Sequence, residues 1–241
     1  MQSIVRQADH IICISQSTRN DLHRFFDYPK TQSTVVLNGV DHKIFYPLID
    51  LTEAEAFLNS IRVKAGFLLF VGTIEPRKNL QGLLEAMARL KEQGMNLPPL
   101  VVVGMRGWMM EEIIPAIERR GLKGQVIFTG FLTDAQVNML YNTCGVFIFP
   151  SFYEGFGFPI LEAFCAGAAV ITSTTSSCPE IACDAALLID PANTQSIAQA
   201  IKQVLEDSHL SARLRIKALD RAKHFSFEQT ARQTLDVYRG I

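Results

Sequence analysis

The sequence lacks several features that would assign it to a simple functional class. Its 241 residues contain no apolar run near the roughly 20 residues that cross a bilayer. Met1–Arg6 is not followed by the long apolar core of a signal peptide. The formal net charge of −1 gives no electrostatic basis for binding nucleic acid. These absences argue against membrane-spanning, secreted and nucleic-acid-binding classes and predict a cytoplasmic location.

Cysteine is sparse and is not arranged for metal binding. The five cysteines are odd in number, and only Cys178 and Cys183 lie close together in sequence. No second pair and no nearby histidine completes a zinc site with them. We therefore expect free, mostly buried thiols in a reducing compartment, and no metal site.

From residue 66 onward, short apolar runs alternate with segments of helical periodicity. The runs are typical of buried strands and lie at residues 67–71, 100–103, 126–129, 146–149, 169–172 and 186–189. Continuous apolar strands joined by helices predict an α/β fold with a Rossmann-like, doubly wound parallel sheet. Ligands of such sheets bind beyond the carboxyl ends of the strands. Gly72, Gly104, Gly130 and Ser151 follow four of these runs.

The last part of the chain, after residue 193, is helical and charged. Residues 194–207, 210–224 and 226–239 each carry an apolar stripe. The second of these helices has a basic cluster, consisting of Arg213, Arg215, Lys217, Arg221 and Lys223. Such a cluster suits anionic lipid headgroups, which would place the protein at the inner face of the membrane. A solvated helix face is the interpretation that we favour.

The first 47 residues are unlike the rest of the chain. Apolar runs at residues 11–14 and 34–37 predict two strands, and residues 15–26 predict one helix between them. Two strands and a helix do not form an independent domain. We therefore interpret residues 1–47 as the remnant of a domain whose main part lies outside this chain, with residues 48–65 as a linker. The partner of this remnant is then the missing half or a second copy of the chain.

The stretch from Ser151 to Glu162 is the most informative in the sequence. It joins a predicted strand to a predicted helix through a glycine-rich turn, an arrangement that cradles anionic ligands. Gly155 and Gly157 permit positive φ and close approach of a ligand to the backbone. Pro159 suits the first helical position, which would place Glu162 in the first turn, where the helix dipole favours a carboxylate.

Two carboxylates beside a phosphate site need an explanation, because they would repel the phosphate. Glu154 and Glu162 can each accept hydrogen bonds from neighbouring sugar hydroxyls, which indicates a ligand that carries both phosphate and sugar. The alternative is that Glu154 caps a loop and Glu162 only balances a helix dipole. Arg77 and Lys78 precede a helix that Asn79 can cap. This setting favours a diphosphate-binding site over the alternative, which is an exposed basic pair without a ligand.

Four motifs together give the chain a family resemblance. They are the Arg77-Lys78 pair, Glu154 and Glu162 with seven residues between them, Asn38-Gly39-Val40-Asp41, and residues 8–15 (ADHIICIS). The chain resembles family-four glycosyltransferases of the GT-B fold from about residue 8 to its end. The resemblance implies two Rossmann-like domains that face each other across a cleft. Residues 66–225 would be the domain that binds the nucleotide-sugar donor, and residues 226–241 a helix that crosses back to the first domain.

The resemblance also implies roles for individual residues. Arg77 and Lys78 would hold the donor diphosphate and stabilise the leaving nucleotide, Glu154 would contact the transferred sugar, and Glu162 would bind the ribose. The other implied donor contacts are backbone groups and residues near the base, namely Gly72, Gly104, Met105, Phe131, Gly155, Phe156, Gly157, Phe158, Pro159 and Ile160. The implied reaction transfers a hexose from GDP-mannose or a UDP-hexose, with retention, to a glycan or lipid-linked acceptor.

No cofactor is implied, and no metal is required, because no Asp-x-Asp pair occurs and the two cations would take the metal's place. The chain lacks the family's glycine-rich acceptor-side loop and its active-site histidine. An alternative is therefore a module that binds nucleotide sugar without transferring it. A nicotinamide-dependent dehydrogenase has little support, because no Gly-x-Gly-x-x-Gly follows the strand that ends at Gly72.

Overall fold

The computed structural model describes Val5, residues 7–105 and residues 110–240, with only the backbone of Met110. The helix predicted to start at Trp108 is described from Met110 onward, so its first residues lie outside the described part. The same holds for most of Met1–Arg6 and for the final residue of the predicted crossover helix.

A parallel sheet of six strands forms the centre of the described structure. A separate pair of parallel strands, β1 (Ile11–Cys13) and β2 (Ser33–Val35), lies in the first 47 residues. The six strands are β3 (Leu68–Val71), β4 (Leu100–Val103), β5 (Val126–Gly130), β6 (Val146–Phe149), β7 (Val170–Ser173) and β8 (Leu187–Ile189). Their spatial order is β5-β4-β3-β6-β7-β8. The predicted doubly wound α/β fold is confirmed.

Helices connect the strands and cover both faces of the sheet. In chain order they are α1 (Gln16–Phe25), α2 (Thr52–Ser60), α3 (Leu80–Glu92), α4 (Met110–Arg119), α5 (Asp134–Thr143), α6 (Phe158–Cys165), α7 (Cys178–Ala182), α8 (Thr194–Glu206), α9 (Ser208–Ala222) and α10 (Phe227–Gly240). Leu68, Leu69 and Phe70 of β3 are fully buried. Side chains of α3 and α8 pack on one face and those of α5 and α6 on the other. This two-sided burial explains why the strands have no polar alternation.

The segment interpreted as a linker, residues 48–65, contains helix α2. Ala54 and Leu58 of this helix are buried against the main core, and the backbone N–H of Leu48 donates to Asn142 Oδ1 at 2.8 Å. The helix has nine residues and no side-chain N-cap, so its sequence signals are weak. The division of the chain into domains stays a prediction.

Most of the basic cluster on α9 is engaged inside the protein. Arg215 donates to the carbonyls of Cys144, Gly145 and Gly167 at 2.8–3.2 Å, at the ends of α5 and α6. Arg221 donates to the carbonyls of α7, while Lys217 and Lys223 pair with aspartates. A cation that satisfies the last carbonyls of a helix stabilises it. These contacts favour a packing role for the cluster over binding to lipid headgroups.

Candidate donor-binding site

The candidate site lies where the order of the strands reverses. The chain proceeds from β3 outward to β4 and β5, then returns beside β3 and proceeds the other way through β6, β7 and β8. Loops that leave β3 and β6 therefore diverge and open a crevice at the carboxyl edge of the sheet. Arg77 and Lys78 lie on the loop after β3, and Glu154 lies on the loop after β6. The reversal brings together residues that are more than 70 positions apart.

Glu154 is paired with both cations of the predicted diphosphate site. Arg77 Nη1 donates to Glu154 Oε2 at 2.6 Å, and Lys78 Nζ donates to Oε1 at 2.7 Å. Arg77 also pairs with Glu75 and donates to the carbonyl of Tyr153 at 2.9 Å. Glu154 is only 7% exposed and Lys78 only 9%. Lys78 is therefore part of a buried ionic cluster and not of an exposed basic pair.

Asn79 fixes the loop that carries the two cations. Its backbone is left-handed, with φ of 58°, and its side-chain oxygen accepts from the N–H of Gly82, so it caps α3 as predicted. Its side-chain nitrogen donates to the carbonyls of Pro150 at 3.1 Å and Pro191 at 2.8 Å. The cap thus ties the loop after β3 to the ends of β6 and β8.

Glu162 does not lie in the first turn of its helix. Helix α6 starts at Phe158 after an N-cap at Gly157, so Pro159 is the second helical residue and Glu162 lies beyond the first turn. Glu162 accepts a hydrogen bond from the Tyr141 hydroxyl at 3.1 Å. Burial raises the pKa of Glu162 to about 7. The expectation of a first-turn carboxylate, and the alternative that Glu162 only balances a helix dipole, are both wrong.

The two glycines of the turn have different roles. Gly157 has a φ of +115°, which a residue with a Cβ rarely adopts, whereas Gly155 does not have a positive φ. The carbonyl of Gly155 instead accepts hydrogen bonds from Ser15 Oγ at 2.7 Å and Thr18 Oγ1 at 3.0 Å. The expectation of positive φ therefore holds for Gly157 only, and Gly155 is the point where the turn meets α1.

The turn presents less free backbone than the resemblance implied. The N–H of Ile160 donates to the carbonyl of Gly157 at 3.0 Å, and Pro159 has no N–H. The side chains of Phe156 and Ile160 are buried in the core, at 3% and 0% exposure, while that of Phe158 is 41% exposed. Any ligand contact of Ile160 or Pro159 would therefore use a group other than the backbone N–H.

On the other side of β3, glycines lie at the ends of three neighbouring strands, β3, β4 and β5. The N–H of Gly72 donates to the carbonyl of Val103, and the N–H of Gly104 to that of Gly130. A Cβ on Gly104 would lie 2.2 Å from the carbonyl oxygen of Gly72, so the backbones approach too closely for a side chain. Next to these glycines, Met105 and Phe131 are 63% and 76% exposed. The structure thus places two uncovered apolar side chains at this edge.

Residues on the loop after β7, which sequence reasoning missed, hold the Glu154 loop from behind. Ser177 Oγ donates to the carbonyls of Glu154 at 2.9 Å and Phe156 at 2.6 Å, and Ser176 Oγ accepts from the N–H of Glu154. A signal was present, because a run of threonine and serine at residues 172–177 follows a predicted strand.

Among the described residues, no group of three or more His, Cys, Asp or Glu side chains could hold a metal ion. No helix in the described ranges is long and apolar enough to cross a membrane.

Comparison with protein families decides the classification. Residues 52–221 match the family described as glycosyl transferases group 1, and residues 1–44 match Glycosyltransferase Family 4. The chain belongs to the group 1 glycosyltransferases. This family was the one indicated by the motifs around Arg77 and Glu154, and the resemblance is confirmed.

Curated relatives of this glycosyltransferase include enzymes named for mannose transfer. O-antigen chain mannosyltransferase B of Escherichia coli is 34% identical over 230 residues, which cover 95% of this chain and 60% of that protein. The serotype-specific mannosyltransferase WbdA of Escherichia coli is 33% identical over 238 residues, which cover 96% of this chain and 29% of that protein. The chain therefore spans 60% or less of the length of these relatives.

Solved structures of glycosyltransferases share the fold. The sucrose-phosphate synthase of Thermosynechococcus elongatus is 26% identical with a TM-score of 0.86, and the match covers 99% of this chain and 60% of that one. Anabaena HepE in complex with UDP-glucose has a TM-score of 0.88 at 21% identity, covering 99% and 65% of the two chains. These neighbours confirm a GT-B fold, of which this chain covers a part.

Proposed function

We propose that this glycosyltransferase chain binds a nucleoside diphosphate hexose and supplies the donor side of a sugar transfer with retention. The acceptor would be a glycan or a lipid-linked glycan. The observation that carries the proposal is the Arg77–Lys78–Glu154 cluster in the crevice between β3 and β6. It combines two cations for phosphate oxygens with one carboxylate for sugar hydroxyls within one connected network.

The charge balance of the cluster suggests how the donor would bind. Glu75 and Glu154 offset the charges of Arg77 and Lys78, so a diphosphate would compete with the carboxylates for the cations. Arg77 is the more accessible cation, with 41% of its side chain exposed, and would exchange its contact with Glu75 for phosphate oxygens. Glu154, released in part, would accept hydrogen bonds from the hexose hydroxyls.

The rest of the nucleotide would extend along the carboxyl edge of the sheet. Glu162 would accept from the ribose hydroxyls, and Met105 and Phe131 would cover the base with their exposed side chains. GDP-mannose is the first donor to test, because two relatives that match 95% and 96% of this chain at 34% and 33% identity are named mannosyltransferases. A UDP-hexose is the second, because the structural neighbour HepE holds UDP-glucose.

In the proposed reaction the two cations stabilise the negative charge that develops on the leaving diphosphate. The departing phosphate oxygen would accept the proton of the acceptor hydroxyl on the same face of the sugar, which gives retention. The chain would then work without a divalent metal.

A binding experiment with four ligands tests the donor site. Isothermal titration of GDP, GDP-mannose, UDP and UDP-glucose in EDTA should give binding of at least one nucleotide pair. Arg77→Ala should weaken that binding by about 1.5–3 kcal/mol, the scale of a lost charged hydrogen bond. Arg89→Ala is the matched control, since its side chain on α3 is 47% exposed and is also paired with a glutamate. Loss of binding in EDTA, or equal effects of the two substitutions, would contradict the proposal.

The two glutamates should separate by ligand. Glu162→Ala should weaken nucleoside diphosphate and nucleotide sugar alike. Glu154→Gln should spare the nucleoside diphosphate, because it frees the cations, but should weaken the nucleotide sugar. A larger effect of Glu154→Gln on the nucleoside diphosphate than on the nucleotide sugar would remove this division of roles.

The alternative of a module that binds nucleotide sugar without transferring it stays a prediction. Mixing the chain with a separately produced first domain of a relative, and assaying sugar transfer, separates the two functions. Transfer in the mixture supports the donor half of an enzyme, whereas binding without transfer supports the module.

A further inference from the structure

The N-terminal turn of α1 contacts the loop that carries Glu154. Ser15 Oγ donates to the carbonyl of Gly155 at 2.7 Å, and Thr18 Oγ1 donates to the same oxygen at 3.0 Å. One turn further along the helix, Asp21 Oδ2 accepts from the Tyr153 hydroxyl at 2.6 Å. Residues of the first 47 thus hold both flanks of Glu154 from outside the main sheet.

This contact is also held from the side of the sheet. The carboxylate of Glu180 accepts from the first N–H of α1, that of Gln16, at 3.0 and 2.9 Å. Ser15, which caps α1, is fully buried at the junction. A glutamate at a helix N-terminus satisfies free N–H groups and is favoured by the helix dipole. The position of α1 relative to the loop is therefore fixed by several independent contacts.

Tyr153 connects this junction to the phosphate-binding cations. Its hydroxyl donates to Asp21, and its carbonyl accepts from Arg77 Nη1 at 2.9 Å. The same Arg77 nitrogen donates to Glu154 Oε2 at 2.6 Å. A continuous series of hydrogen bonds thus runs from α1 through Tyr153 to the ionic cluster.

We infer that Asp21 and Tyr153 are positioning residues, which set the geometry of Glu154 and Arg77 for the donor sugar from the first 47 residues of the chain. The hydrogen bonds of Asp21 and Tyr153 are observed in the structure, whereas the identity of the ligand rests on the proposed function. The loop needs such support, because the residues between β6 and α6 have no regular hydrogen-bonding pattern of their own. From the other side, the serines after β7 hold it, and the backbone carbonyl of Arg77 accepts from the N–H of Phe152 at 2.9 Å.

The chemistry of Tyr153 suits a persistent hydrogen bond to Asp21. The hydrogen bond to Asp21 raises the pKa of Tyr153 to about 12, so the phenol stays protonated and donates at physiological pH. We expect this hydrogen bond to persist in both the free and the bound protein.

Hydrogen–deuterium exchange measures the support of the loop without any ligand. In Tyr153→Phe and in Asp21→Ala, the backbone amides of residues 151–157 should exchange about fivefold faster, since one net hydrogen bond is lost. Asp21→Asn keeps an acceptor for the phenol and should restore protection. The control is Tyr28→Phe, which removes a hydroxyl bond to the carbonyl of Ala8 within the first 47 residues and leaves the loop untouched. Unchanged exchange in both test variants would overturn the inference.

Titration with GDP-mannose and UDP-glucose tests the consequence for the donor. Tyr153→Phe should raise the dissociation constant of the bound nucleotide sugar about fivefold relative to Tyr28→Phe, with smaller effects on GDP or UDP. Equal constants for the two variants would overturn the positioning role while leaving the proposed function intact. Failure of the unaltered chain to bind any of the four ligands would instead count against the proposed function, and the exchange measurement would still decide whether α1 supports the loop.

Discussion

Replacing Lys78 by Met tests whether Glu154 depends on a buried counter-charge. Methionine keeps an unbranched side chain, but it loses the charged nitrogen of Lys78, which lies 4.7 Å from the centre of the Phe149 ring. The substitution therefore removes the charge and the 2.7 Å bond to Glu154 while it preserves most of the volume. Glu154, at 7% exposure, would lose one of its two cationic partners.

The size of the effect follows from the remaining contact. Removing one partner of a fully buried ion pair costs about 3–5 kcal/mol, because an uncompensated charge is left behind. Arg77 still holds the other oxygen of Glu154 at 2.6 Å, but 41% of its side chain is exposed, so it compensates only part of the loss. We expect about 2 kcal/mol of destabilisation, which lowers the melting temperature by about 4–8 °C for a chain of this length.

A double-mutant cycle by urea denaturation measures the interaction. Lys78→Met and Glu154→Gln should each cost about 2 kcal/mol, but the double variant should cost less than the sum by about 2 kcal/mol, since no charge is then left unpaired. Lys202→Met is the control, because its side chain is 51% exposed and lies 4.0 Å from Glu206. It should change stability by less than about 0.5 kcal/mol.

Additive costs in the cycle would refute the reasoning. So would a destabilisation by Lys78→Met no larger than that of the control. Either result would mean that Arg77 and solvent together suffice to stabilise the Glu154 carboxylate.

Three further substitutions address other parts of the structure. Burial raises the pKa of Glu162 from 4.5 to about 7, so the carboxyl's contribution to stability is full below pH 4.5 and is lost as the pH rises through 7. The free energy of unfolding of Glu162→Gln minus that of the unaltered protein should therefore increase from pH 5 to pH 8, by at most about 3 kcal/mol. An equal difference at the two pH values would contradict this. Gly104→Ala should destabilise by about 2–3 kcal/mol in thermal unfolding, because its Cβ would meet the backbone of Gly72 at 2.2 Å; a cost under about 0.5 kcal/mol would show that the strand ends separate freely. Arg215→Met should cost about 2 kcal/mol through carbonyls at the ends of α5 and α6 that lose their donor, and an unchanged urea midpoint would show that solvent replaces it.

The sheet could be predicted because its signals are local. The four inner strands have strands on both sides and helices on both faces, so a continuous apolar run locates each of them within a residue or two, and Gly72 and Gly104 mark the ends of two. Helix α2 was not predicted, because the contacts that stabilise it are not local in sequence. It is short, starts at Thr52 without a side-chain cap, and is stabilised by burial of Leu58 against distant parts of the core.

The site was predicted as a set of residues but not as a network. Its members could be named because Arg77, Lys78 and Glu154 follow predicted strands. Their pairing depends on the strand order, which puts β3 beside β6, and no local pattern encodes that order. The displaced start of α6, and with it the position of Glu162, depends on the left-handed backbone of Gly157.

The pairing of β3 with β6 also has a consequence for the synthesis of the chain. Leu68 pairs with Val146 and Leu69 with Phe147, so one edge of β3 has no partner until the ribosome has made β6. Until then, β3, β4 and β5 can pair among themselves, but they expose an apolar strand edge of the kind that promotes aggregation. The crevice forms only when β6 docks beside β3, and we expect a nascent chain stalled before that point to be a substrate for chaperones.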